Sequence, residues 1–194
     1  MHKLFLLDRI GDSALLTDSC KTDLLRHAHV GHIREDEFYQ RGKDLSPVLL
    51  LTTSGIGRVF IETHDGRDVT QHFLRAEDFI VANQHDARGT VERVQAITDL
   101  SYVALPYEKL EAMLADHVCL FDFLASIGNE RALRMQERTR RFASSGALET
   151  YESFLQTHPG LETQVPTVHL ASYLGLTTSQ FMRARQQHRS RGIM

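Results

Sequence analysis

The stretch that most constrains the fold is residues 165–187, VPTVHLASYLGLTTSQFMRARQQ. Pro166 suits the first turn of a helix, where its missing N–H costs nothing. Val168, Leu170 and Leu174, with Ala171, form an apolar face at helical spacing. Gly175 breaks the pattern where a tight turn needs a residue free to take positive φ. Thr177 or Thr178 can cap a second helix that places Phe181 and Ala184 on one face. Ala171 is small where two helices must cross closely. The spacing therefore predicts a helix-turn-helix.

The second helix turns Thr177, Thr178, Ser179, Gln180, Met182, Arg183, Arg185 and Gln186 outward. Gln and Arg side chains suit bidentate contacts to adenine and guanine edges in a major groove. Ser and Thr can hold phosphates, which sets register without reading sequence. The expected roles are base reading by Arg183 and Gln180, and phosphate seating by Thr178, Ser179 and Arg185. The competing interpretation of the same residues is an ordinary helical hairpin with a polar outer face.

Charge divides the chain along the same line. Residues 131–194 hold nine Arg and no Lys against four Glu, for +5, while residues 1–130 carry −8. An acidic front and an Arg-rich rear fit a sensor joined to a nucleic-acid-binding module, although the whole chain is only −3. At 194 residues and 42% hydrophobic content it can bury a core of one or two small domains. It has no apolar run long enough for a membrane span and no start strong enough for a secretory signal, so a cytoplasmic protein is expected. Cys20 and Cys119 lie far apart in sequence, form no metal-ligand motif and are expected as reduced thiols.

In chain order, residues 11–27 read as an amphipathic helix with Leu15, Leu16, Leu24 and Leu25 as apolar contacts. Strands and turns follow from His29 to Leu105: Val48–Leu51, Arg58–Thr63, Asp68–Leu74, Val91–Ile97 and Leu100–Leu105. Asp65-Gly66 offers a hairpin turn between the second and third of these. Short antiparallel strands at this spacing suggest a small barrel or roll. After Pro106 a helix opens at Tyr107, with Leu110, Met113 and Leu114 on one face, and a longer helix runs from about Val118 to Phe142. Phe121, Ala125, Gly128, Ala132, Met135, Thr139 and Phe142 recur on it at alternating four- and three-residue steps, a seam fit for a partner helix or for the chain's own barrel. A dimer is favoured, because helix-turn-helix proteins bind paired half-sites. Residues 144–146 form a hinge, and Ala147–Gln156 the first helix of the rear domain.

That order, with its motifs, resembles bacterial transcription regulators of the Crp/Fnr family over most of the chain. Tyr39-Gln40-Arg41-Gly42-Lys43-Asp44 resembles the turn that enters a cyclic-nucleotide-binding-type roll, and Gly55-Ile56-Gly57-Arg58-Val59 its strand start. Phe73 to Ile80 resembles the l-x-x-G-D-f segment, with Glu77 where glycine is usual. At the rear, Leu170 to Thr177 resembles the IA-x-x-LG-(I/L)-(T/S) signature, and Gln180 to Arg185 its recognition-helix ending. The resemblance implies an α+β chain. Residues 1–117 would be a sensor roll of antiparallel strands, 118–143 a dimerisation helix, and 144–194 a helix-turn-helix domain. It also implies double-stranded DNA as partner, a homodimer, RNA polymerase as a further partner, and an effector of unknown identity near Phe79, Ile80, Ala82, Arg88 and Arg93.

The sequence departs from that pattern in two places. Members that bind cyclic AMP carry a Gly-Glu followed by an Arg-Ser pair; here Thr90, Val91 and Glu92 stand where the pair would fall, and Asp86 and Glu92 would repel a phosphate. No response to cyclic AMP is expected. Only nine residues follow Arg185, so the usual two-stranded wing is missing or reduced, and phosphate contacts fall to Arg189 and Arg191.

Two other functions compete. The chain could sense a small ligand or nucleotide and signal through a partner, its rear domain vestigial. Alternatively His27, His29 and His32, with Glu35, could hold a metal in a cupin-like enzyme, since histidines two apart on a strand share a face. That pattern also wants a later histidine, for which His72 and His85 lack the context. No nucleophile–base pair, paired carboxylates or phosphate loop stands out, so no catalytic residue, metal or cofactor is expected.

Overall fold

Several strands of this chain carry runs of consecutive apolar residues, which requires cover on both faces. In strand β2, Val48–Ser54, the side chains of Val48 and Leu50 enter one cluster while Leu49 and Leu51 enter another. Strand β7, Leu100–Pro106, repeats this: Leu100 and Ala104 turn one way, Val103 and Leu105 the other. A second sheet covers one face and helices cover the opposite one. The computed structural model describes residues 10–11, 13–39, 48–82, 91–144 and 146–191, with backbone alone at residue 82 and at 141–144.

The remaining strands are β1 (His29–Ile33), β3 (Gly57–Glu62), β4 (Asp68–Leu74), β5 (Phe79–Ala82) and β6 (Glu92–Ala96). All pair antiparallel, in a four-stranded sheet ordered β1-β7-β2-β5 and a three-stranded sheet ordered β4-β3-β6. Ile33, Leu50, Val59, Leu74, Ile80 and Val94 fill the space between the sheets. Asp65-Gly66 makes the expected β3–β4 turn, with Gly66 at φ 75° and its N–H donated to the Thr63 carbonyl at 2.8 Å. Glu77 stands at φ 76°, in the left-handed region that explains why glycine suits this position.

The helices are α1 (Asp18–His27), α2 (Tyr107–Leu114), α3 (Val118–Ser144), α4 (Ala147–Thr157), α5 (Thr167–Tyr173) and α6 (Thr178–Arg191), with a 3₁₀ turn at Leu161–Thr163. Helix α1 begins later than the sequence suggests. Thr17 caps it by accepting the Cys20 N–H, and Leu15, ahead of the cap, is exposed. Leu24, Leu110, Met113, Leu120 and Phe123 bury themselves against the outer side of β2 and β7. In this layer Cys20 and Cys119 lie close enough to influence one another; burial first, and then Cys119, push the Cys20 thiol up to about 12. The chain is thus α+β, a roll of antiparallel strands followed by a long helix and a helical rear.

Candidate nucleic-acid interface

The turn between α5 and α6 is set by backbone hydrogen bonds. Gly175 lies at φ 68°, its N–H donates to the Ser172 carbonyl at 3.2 Å, and the Leu176 N–H reaches the Ala171 carbonyl at 2.9 Å. This is a Schellman ending, which needs a residue without strain at positive φ. Thr177, rather than Thr178, then caps α6. Its hydroxyl accepts the Gln180 N–H at 3.2 Å, and the Gln180 side-chain oxygen accepts the Thr177 N–H at 2.8 Å, a reciprocal capping box. Pro166 stands one residue ahead of α5, at its cap.

Leu170, Ala171, Leu174, Phe181 and Ala184 are buried against Tyr151, Phe154, Leu161 and Val165. Val168 is not part of that face and is 58% exposed. Helix α5 has only seven residues, and its covered side begins at Leu170. Tyr151 meets Phe181 edge-to-face at 5.4 Å and donates its hydroxyl to Glu162 at 2.7 Å. Burial and that carboxylate push the Tyr151 phenol up to about 12.

The opposite side of α6 is polar. Thr177, Thr178, Ser179, Gln180, Met182, Arg183 and Gln186 are exposed, and α6 carries four arginines and no acidic residue. Arg183 has no ion pair among the described residues. Arg185 differs: half-buried, it lies 2.7 Å from Glu162 and ties α6 to the 3₁₀ turn. Gln180 spends its side-chain oxygen on the cap, which leaves its NH₂ group for other contacts. Arg191 and His188 both lean toward Glu152. Helix α6 continues to Arg191, and no strand follows it among the described residues.

Helix α3 has two unlike sides. Leu124 and Ile127 are half-buried against the roll, and Arg131 and Arg138 continue that side; Arg131 pairs with Glu92. Arg138 donates to the carbonyls of Tyr173 and Thr70, both at 2.9 Å, and so ties α3 to α5 and β4 at once. Ser172 reinforces the junction, accepting the Thr70 N–H and donating to the Asp68 carbonyl, both at 3.0 Å. Sequence reasoning misses both residues. The only hint is that 131, 134 and 138 repeat at helical spacing beside the seam. The seam positions Phe121, Ala125, Gly128, Ala132, Met135 and Thr139 are exposed, and Phe121 is 64% so. The side chain of Phe142 lies outside the described residues.

The residues expected around an effector do not converge. Ile80 points between the sheets, whereas Phe79, one residue earlier, faces α3 and meets Phe123 edge-to-face at 5.6 Å. Arg93 sits on the other sheet, 4.9 Å above the Phe38 ring. Arg88 and the Ala82 side chain lie outside the described residues. The histidine cluster also loses its geometry, because His27 ends α1 and does not share a strand with His29. Among the described residues no group of three metal-ligating side chains comes together. The most buried charged residue among the described residues is Arg58 on β3. It donates to Asp68 and Gln95, both at 2.6 Å, and lies 4.2 Å over the Phe60 ring.

No family sequence model matches the chain, and no curated protein matches it in sequence. Solved structures do share its fold. FixK2 from Bradyrhizobium japonicum aligns with a TM-score of 0.72 at 20% identity, over 86% of this chain and 86% of that one. A transcriptional regulator assigned to the Crp/Fnr family, from Eubacterium rectale, aligns with a TM-score of 0.70 at 16% identity, over 91% and 85%. The c-di-GMP-responsive global regulator CLP of Xanthomonas campestris gives 0.67 at 17%, over 88% and 91%. The chain therefore has the fold of Crp/Fnr regulators, roll, long helix and helix-turn-helix alike. Among the described residues no helix is long and apolar enough to cross a membrane.

Proposed function

We propose that this chain is a cytoplasmic, sequence-specific DNA-binding transcriptional regulator of Crp/Fnr type, acting as a homodimer without catalysis. The observation that carries this reading is α6, which buries Phe181 and Ala184 and turns a largely polar, arginine-bearing face, with Met182 its apolar member, to solvent. Arg183 and the Gln180 NH₂ group read base edges, Gln186 adds a polar contact, and Thr178 and Ser179 seat the helix on phosphates. Arg185 holds α6 in place through Glu162 more than it touches DNA. Residues 1–117 serve as sensor, 118–143 as connection and 144–194 as DNA-binding domain.

The exposed small-residue stripe from Phe121 to Met135 supports pairing of two copies of α3, which would space two recognition helices for a pseudo-palindromic site. RNA polymerase is the further partner of such a regulator. A response to cyclic AMP is not expected. Acidic Glu92 stands next to where that ligand's arginine would act, and it is already bound to Arg131 of α3. The test is selection of random and genomic DNA on the purified protein at two salt concentrations. The expected result is an enriched inverted repeat that binds two copies of the chain, more weakly at higher salt. Weak retention without enrichment at either salt would overturn the proposal.

A further inference from the structure

A cavity of about 480 Å³ lies where the β4–β5 corner, α3 and the rear domain meet, apart from the roll interior and from the outer face of α6. That volume suits a small organic ligand. One side is cationic: Arg75 from the corner and Arg131, Arg134 and Arg138 from α3, against the two carboxylates of Asp78 and Glu137. Arg134 reaches Asp78 only loosely, at 3.9 Å, and makes a closer pair with Glu130 at 3.1 Å. The facing side is aromatic. Phe154 and His158 stack at 5.0 Å and 17°, and Tyr173 meets the His158 ring at 5.7 Å.

The Nε2 atom of His72, which lines the cavity, is buried without a hydrogen-bond partner among the described residues, 4.0 Å from the nearest Asp78 oxygen. Burial and the surrounding arginines, Arg134 first, hold this imidazole neutral, with a pKa of about 3. It therefore adds no charge to the cavity wall.

We propose that the cavity binds a planar ring compound bearing an anionic group, its ring against His158 and Tyr173 and its charge on Arg75 and Arg134. Aromatic and guanidinium planes both favour flat rings, and guanidinium forks favour carboxylate or phosphate oxygens. On the reading of the chain as a regulator, such a ligand is its effector. It touches the roll, α3 and the DNA-binding domain together, and so favours the one arrangement of them that keeps the three walls assembled.

The experiment is calorimetric titration of the full chain, without DNA, with two probes: 5′-AMP for a phosphate source and 2-naphthoate for a carboxylate source. At least one should bind, and which one names the source. Arg134→Gln should weaken that binding about tenfold or more. Leu133→Glu should weaken it comparably by placing a carboxylate on the wall, at a side chain 65% exposed and so free to change without disturbing the core. No binding of either probe at millimolar concentration, or equal binding by wild type and both variants, would overturn the site. Because no DNA is present, either result is independent of whether α6 reads DNA.

Discussion

In the rear domain the residues that define the geometry are sequence neighbours. Gly175, Thr177, Gln180, Phe181 and Ala184 form the turn, the cap and the buried face within ten positions of one another. In the roll the corresponding work is done at a distance: Arg58 on β3 is held by Asp68 at the start of β4 and by Gln95 on β6. A locally specified module can present any residues it likes on its free face, and here it presents Arg183. A module assembled from distant strands must spend its polar residues on its own interior. The two modules also share a core, since Ile56, Phe73 and Ile97 of the roll enter the cluster around Phe154 and Leu170.

Phe181→Ala should have the largest effect, about 4 kcal/mol of stability, because it empties the centre of the rear core. If denaturant melting then shows the roll unfolding at its wild-type midpoint, the shared core is weaker than its contacts imply. Asp68→Ala should cost about 3 kcal/mol, since it strips a buried guanidinium of its carboxylate. A loss below about 1 kcal/mol would mean that Gln95 and Thr70 suffice to hold Arg58.

Acidification sharpens the comparison at the junction. Burial first, and Arg58 second, lower the His169 imidazole to about 4, from an ordinary 6.5. The unfolded chain therefore binds the extra proton first as pH falls. This contribution is complete above pH 6.5 and is lost progressively toward pH 4. Discounted for its partial exposure it amounts to about 1–2 kcal/mol. His169→Gln should flatten that part of the stability profile, and an unchanged slope would assign it to other groups. The smallest effect belongs to Glu77→Gly, which should gain about 0.5 kcal/mol, since relief of the left-handed strain slightly outweighs the added chain entropy. Thermal melting reads it, and a lower midpoint would mean that the Glu77 side chain contributes more than its backbone costs.

Much of this architecture is legible in the amino-acid sequence. The β3–β4 turn follows from Asp65-Gly66, the long helix from residues 118–142, and the rear motif from Gly175 between two apolar patterns, because each depends on residues close in sequence. What stays hidden depends on tertiary partners. Leu15 and Val168 have the spacing of core residues and are exposed because nothing lies over them. Phe79 and Ile80 read as one pocket in the sequence, yet strand alternation sends them to opposite faces. The meeting of Cys20 with Cys119, the Arg138 clamp and the cavity beside it bring together segments that no local pattern connects.

The central claim is that the free face of α6 reads DNA, and Arg183 tests it most directly beside Arg185, its neighbour two positions on. Fluorescence anisotropy on the selected site, for wild type, Arg183→Ala and Arg185→Ala at fixed salt, separates the two. Arg183→Ala should lose about 1–3 kcal/mol of binding and relax preference at one position in each half-site. Arg185→Ala should fall short of that, its main loss appearing as a lower melting temperature once Glu162 has lost its partner. Equal binding by wild type and Arg183→Ala, with sequence preference intact, would contradict the account.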